Sequence, residues 1–137
     1  VDAASTAGGG FTAECKKFTD DEAAQKKFNG SLTLTEDMAK GYDIVFFSGG
    51  HGTMHDFPAM GNFATAAYEA GKVVAAVCHG PAILVNCGSV VKGKKVTGFS
   101  NKEEDVVKGA RKGLSIPFSL EDLLKKAGGN YVSGPDW

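Results

Sequence analysis

Two short runs of the chain are apolar on successive positions, YDIVFFSGG (42–50) and KVVAAV (72–77). A strand covered on both faces reads this way, so each is expected as an inner strand of a parallel sheet. KKVTGF (94–99) is a third strand candidate, and NYVS (130–133) opens a fourth. Between them the spacing becomes helical. NFATAAYEAG (62–71) is Ala-rich and closed by Gly71. GPAILVNC (80–87) reads as a helix with Pro81 in its first turn, where a missing N–H costs nothing. NKEEDVVKGA (101–110) reads as an acidic turn or short helix. SLEDLLKKAGG (119–129) has Ser119 and Asp122 as a capping box, a stripe of Leu120, Leu123 and Leu124, and lysines in the last turn. Upstream, FTDDEAAQKKF (18–28) reads as one helix capped by Thr19 and stopped at Asn29-Gly30. Thr35 starts another short helix, and residues 1–10 read as loop.

Strands alternating with helices predict an α/β fold, a doubly wound parallel sheet with flanking helices. At 137 residues the chain has room for one domain. Residues 1–41 form an irregular, partly helical lead-in and 42–137 the core. With 42% hydrophobic and 23% charged residues the composition is globular. A net charge of -1 argues against nucleic-acid or anionic-membrane partners. No apolar run is long enough to span a bilayer. Three cysteines without metal-type spacing fit a reducing compartment, so a cytoplasmic location is expected.

Ligands of open α/β sheets bind beyond the carboxyl ends of the strands. Two loops leave such ends, SGGHGTMHDFP after residue 47 and CHGP after residue 77. Cys78 sits where a strand turns into the next helix, the position of a nucleophile elbow. A thiol facing a helix N-terminus favours the reactive thiolate, although free cysteines are also common packing residues. A cysteine nucleophile needs a base and the base an orienting group. His79 is adjacent, and Glu103, Glu104 and Asp105 follow the next strand. The backbone of Gly49 and Gly50 offers N–H groups for an oxyanion. His51 and His55 either touch a polar substrate or line their loop. No cluster of three metal ligands is evident, so neither a metal nor a cofactor is expected.

FFSGGHGTMHDFP, KVVAAVCHGPAIL and KKVTGFSNKEED, in this order, resemble the DJ-1/PfpI superfamily. Within it they are most similar to the heat-shock-protein-31-like, or glyoxalase III, branch, and the resemblance runs from about Tyr42 to Trp137. It implies a flavodoxin-like fold and glutathione-independent conversion of methylglyoxal to D-lactate, with Cys78 as nucleophile and His79 as its partner. Glu104, rather than Glu103, would orient the histidine, and Gly49, Gly50 and His51 would sit beside the substrate carbonyl.

The chain departs from that branch in places. His55 stands where an aromatic residue is usual, and the stretches around Asn62 and Gly88 look short. The family's first strand, which lies at the sheet centre and ends in a glutamate against the cysteine, has no counterpart in VDAASTAGGG. The chain is therefore expected to be incomplete, or to work as a homodimer or with a further polypeptide, and a strand is expected to fill a gap between the two motif-bearing strands. Alternatives to the lyase are a stress chaperone or deglycase, a redox-sensing cysteine protein, and a PfpI-type peptidase. A glutamine amidotransferase is disfavoured, because no downstream His-x-Glu pair occurs.

Overall fold

The structure, a computed structural model, describes residues 11–111 and 113–135. The reading of residues 1–10 as loop lies outside the described residues. The chain divides into two compact units, with the boundary after Leu34.

The first unit is a helical hairpin, α1 (Ala13–Asp20) and α2 (Glu22–Asn29). One continuous helix was expected over 18–28. Asp21 breaks it: its backbone is extended, and its carboxylate accepts the N–H groups of Ala23 and Ala24, both at 2.9 Å. A short acceptor side chain competes with the helix for the same N–H groups and starts a new one. Thr12, not Thr19, caps α1. Phe18 and Phe28 meet edge to face across the hairpin, ring centres 5.9 Å apart.

In the second unit the order is α3 (Glu36–Lys40), β1 (Ile44–Phe47), α4 (Thr53–Asp56), α5 (Gly61–Glu69), β2 (Val73–Ala76), α6 (Gly88–Val91), β3 (Lys95–Val96), α7 (Asn101–Ala110), α8 (Leu120–Lys126) and β4 (Asn130–Tyr131). Helix α3, grouped with the lead-in on sequence, packs into this unit's core through fully buried Ala39. The strands are parallel, as an α/β fold requires. β1 pairs with β2, Ile44 opposite Val73 and Phe47 opposite Ala76. β3 pairs with β4, Lys95 opposite Asn130.

Three expectations are corrected here. The motif-bearing strands β1 and β2 pair directly, so no gap for a further strand lies between them. β2, expected as a central strand, belongs to a two-stranded ladder among the described residues. The apolar runs are covered on one face only: Phe47 is buried, whereas Ile44 is 62%, Phe46 61% and Val73 56% exposed. The covering elements, α3, α5 and the segment after β2, all lie on the inward face, which β1 reaches only through alternate residues.

The stretch after β2 also differs from its reading. Residues Gly80–Leu84 form a 3₁₀ segment rather than the start of an eight-residue helix. It is the hub of the unit. Ile83 joins Phe47, Phe63, Ala64, Ala67 and Cys87 in one apolar cluster, while Ala82 joins Met54, Val85, Leu120 and Leu124 in another. Its start is pinned by close packing: a Cβ on Gly80 would collide with the carbonyl oxygen of Phe47 and approach that of Ser48 to 3.2 Å. The backbone that follows Cys78 thus rests directly on the end of β1. Gly80→Ala must push these two backbones apart. It is expected to destabilise the protein by about 2 kcal/mol or more, read from the urea midpoint; an unchanged midpoint would show that the contact yields freely.

Candidate active site

Cys78 is the only residue other than glycine with positive φ among the described residues, at 60°. A left-handed backbone at a residue with a Cβ costs on the order of 1 kcal/mol, and such strain persists only where the surroundings enforce it. Three contacts enforce it here. The N–H of Gly80 donates to the carbonyl of Val77 at 2.8 Å, closing the turn. The N–H of Phe99 donates to the carbonyl of Cys78, also at 2.8 Å, and ties the elbow to the chain after β3. Gly49 lies so near that a Cβ there would stand 2.7 Å from the Cβ of Cys78.

The elbow brings two adjacent side chains together. Cys78 Sγ lies 3.4 Å from His79 Nδ1. The other ring nitrogen, Nε2, donates to Glu104 Oε2 at 2.7 Å. With Nε2 carrying the hydrogen, Nδ1 of the neutral ring is an acceptor facing the thiol. His79 is 1% exposed and Glu104 6%, whereas Cys78 is exposed. The arrangement can take a proton from an accessible thiol and hold the resulting imidazolium against a buried carboxylate, the physical content of a nucleophile–base–acid triad.

Helix α7 decides which acid does this. Ser100 accepts the N–H of Glu103, and the Glu103 carboxylate accepts the N–H of Ser100 at 2.7 Å. This reciprocal capping box commits Glu103 to the helix start. One residue on, Glu104 turns about 100° around the helix and points at His79. Asp105 is exposed.

His51 joins the same carboxylate. Its Nε2 lies 2.8 Å from Glu104 Oε1, and its ring centre lies 4.0 Å from that of His79. Phe99 covers His79 at 4.3 Å. No three-ligand cluster was expected, yet the fold gathers His51, His79 and Glu104 with their polar atoms within 4.8 Å of one another. The three are far apart in sequence, which hides them from any spacing rule. Their short contacts are hydrogen bonds from imidazole N–H groups to a carboxylate.

Burial holds the imidazole of His79 below its ordinary range, and the positive charge of a protonated His51 acts in the same direction; the hydrogen bond and charge of Glu104 oppose this. For Glu104 burial favours the neutral acid, but the hydrogen bonds from His79 and His51 and their charges outweigh it and hold the carboxyl below its usual value. Both folded-state values are lowered. The stability contributed by the pair is present above the ordinary values and is lost as pH falls through the lowered ones.

A cavity of about 360 Å³ opens beside Cys78, lined by Ala76, Val77, Thr97, Gly98, Phe99 and Glu103. Gly49, Gly50 and His51, expected beside a substrate carbonyl, are not among its lining residues. Gly49 instead packs against the elbow, and Gly50, with φ 112°, turns the loop that carries His51. His55 is exposed on α4. The other two thiols have different environments. Cys87 is buried, its Sγ 3.2 Å from the carbonyls of Gly61 and Ile83, and burial pushes it up. Cys15 is exposed like Cys78, and a hydrogen bond from Thr12 lowers it, so it is a second accessible thiol.

The model of the DJ-1/PfpI family matches residues 2–125. The chain belongs to the DJ-1/PfpI family. A probable glutathione-independent glyoxalase of Schizosaccharomyces pombe is 42% identical over 119 residues, which cover 77% of this chain and 45% of that protein. The X-ray structure of a Rapid Encystment Protein of Francisella tularensis superposes with a TM-score of 0.73 at 35% identity, over all of this chain and 62% of its own. Glyoxalase III of Candida albicans superposes with a TM-score of 0.67 at 29% identity, over 98% of this chain and 62% of its own. The chain spans about half the length of the curated relatives it matches.

Two positions that pack the candidate site of this DJ-1/PfpI chain escaped the sequence reading. Thr53 ties the loops together, its hydroxyl 2.8 Å from the carbonyl of Gly50 and 3.1 Å from that of His79. Phe99 packs on the His79 imidazole; its only signal was its place at the end of the expected strand run 94–99.

In an NMR titration the His79 ring is expected to change charge below pH 6.5, its ordinary value. Glu104→Gln removes the charge that favours the imidazolium, so the midpoint moves lower still. A midpoint that rises in Glu104→Gln would contradict the pairing.

Proposed function

We propose that this chain carries a cysteine-dependent lyase site that converts methylglyoxal to D-lactate without glutathione. The observation that carries the reading is the strained elbow, which aims an accessible Cys78 thiol at His79 Nδ1 with Glu104 behind the ring. What the matched relatives are called supports the substrate.

The steps follow from the geometry. Cys78 gives its proton to His79 Nδ1 and adds through sulfur to the aldehyde carbon, forming a hemithioacetal. The aldehyde-derived carbon then loses its hydrogen as a proton, and the neighbouring carbon gains one while its carbonyl becomes a hydroxyl. The sulfur is left in a thioester of lactate. Water cleaves the C–S bond, giving lactate and restoring the thiol. The sum is one methylglyoxal plus one water to one lactate, with no outside oxidant. His79 is the base within reach of the sulfur, and Glu104 stabilises its charged form at each protonation. The cavity beside Cys78 is lined by Ala76, Val77, Gly98 and Phe99 together with Thr97 and Glu103, ample space for so small a substrate.

One observation favours a second reading, a chaperone. Ile44 and Phe46 on β1, Val73 on β2 and Val77 just after it are exposed apolar side chains, the kind of surface that holds unfolded chains. Suppression of aggregation that persists in Cys78→Ala would belong to that surface and not to the thiol.

Purified protein given methylglyoxal without glutathione is expected to release D-lactate, and Cys78→Ala to lose at least about a hundredfold in rate. No lactate from the wild type, or undiminished lactate from Cys78→Ala, would overturn the lyase reading.

A further inference from the structure

Each oxygen of the Glu104 carboxylate is held by one imidazole. Oε2 accepts from His79 at 2.7 Å and Oε1 accepts from His51 at 2.8 Å. The two rings lie against each other, centres 4.0 Å apart and tilted by 41°, with Phe99 packed on both. His51 differs from its partners in access: its side chain is 19% exposed, against 1% for His79 and 7% for Glu104. The loop that presents it is fixed. Gly50 makes the turn, and the Thr53 hydroxyl holds the Gly50 carbonyl while touching that of His79. His51 is thus built into the site rather than resting at its edge.

We propose that His51 is a positioning residue of the reaction: by holding Oε1 it fixes the plane of the Glu104 carboxylate, and so keeps Nδ1 of His79 free to accept the Cys78 proton. The physical case is short. A buried carboxylate with one oxygen unpartnered carries the cost of its desolvation and is free to rotate. A rotated Glu104 would no longer fix the N–H of His79 at Nε2, and the tautomer that faces the thiol would no longer be held. His51 also shares the negative charge that His79 relies on, so it limits how readily His79 becomes permanently protonated. The titratable groups around the pair are Cys78 on the elbow, His51 on the loop after β1, and Glu103 and Glu104 on α7.

The turnover arm of the test rests on the lyase reading; the titration arm does not. His51→Phe keeps a flat ring but removes the donor. It is expected to lower kcat about tenfold or more with KM within about twofold, because His51 is not itself among the residues that line the cavity. The His79 ring, followed by NMR, should change charge at a higher pH in His51→Phe than in the wild type, since the whole carboxylate then serves one imidazole. His51→Gln, whose amide N–H reaches the position of Nε2, should recover most of the rate and the wild-type midpoint; His51→Asn, one carbon shorter, should not. If His51→Phe does not fold, as its NMR spectrum shows directly, the Gln and Asn variants decide by the same two readouts. A His79 midpoint that is unchanged or lower in the variants that lack the donor overturns the proposal, whatever happens to turnover. If the wild type makes no lactate, the lyase reading falls and the midpoint alone decides the role of His51.

Discussion

A carboxylate buried between two imidazoles is the constraint on which the rest of the site depends. An ionised acid out of water is expensive unless it is paired and hydrogen-bonded. Glu104 is kept ionised because three separate segments converge on it: the loop after β1 supplies His51, the turn after β2 supplies His79, and α7 supplies the acid itself. None of these donors is a neighbour of Glu104 in sequence. The fold has to be complete around them before the charge can be stably buried, so the chemistry of the site is linked to the packing of the second unit. The capping of α7 belongs to the same constraint. By occupying Glu103, it sets the rotation of the helix that aims Glu104 inward.

Backbone packing does the complementary work at the sulfur. Cys78 is held in a left-handed conformation because the ends of β1 and β2 are interlocked, Gly80 against the carbonyl of Phe47 and Gly49 against the Cβ of Cys78. Any larger side chain at either glycine would separate the two loops. Separation would relax the elbow and move His79 away from Glu104 in one motion. Strain at Cys78 and burial of Glu104 are therefore sustained by the same parallel pair of strands and by the apolar clusters that meet at the 3₁₀ segment.

Much of this was legible before the structure. The elbow was readable because a strand-like run ended at Cys-His-Gly-Pro, and few other arrangements place a thiol there. The resemblance then pointed to Glu104. The Ser100–Glu103 capping box, visible as Ser-x-x-Glu, would have pointed the same way by removing Glu103 from contention. The contact of His51 with Glu104 was not legible, because a lone histidine in a glycine loop gives no sign of a partner 53 residues away. The helix expected over 80–87 became a 3₁₀ segment because its start is pressed against β1, a tertiary contact that propensity does not contain. The two-sided burial expected of Ile44 and Phe46 failed for a related reason. Apolar runs report what a strand is able to bury, and the described residues cover only one of its faces.

The central claim is that His79 and Glu104 act as one device on Cys78. The most direct measurement is kcat for D-lactate release in His79→Ala, Glu104→Gln and the double variant. Residues that work as a unit lose nothing more once one of them is gone. The account predicts that the double variant is no slower than His79→Ala alone. Losses that multiply would contradict it, since they would mean that Glu104 serves the reaction by a route that does not pass through His79.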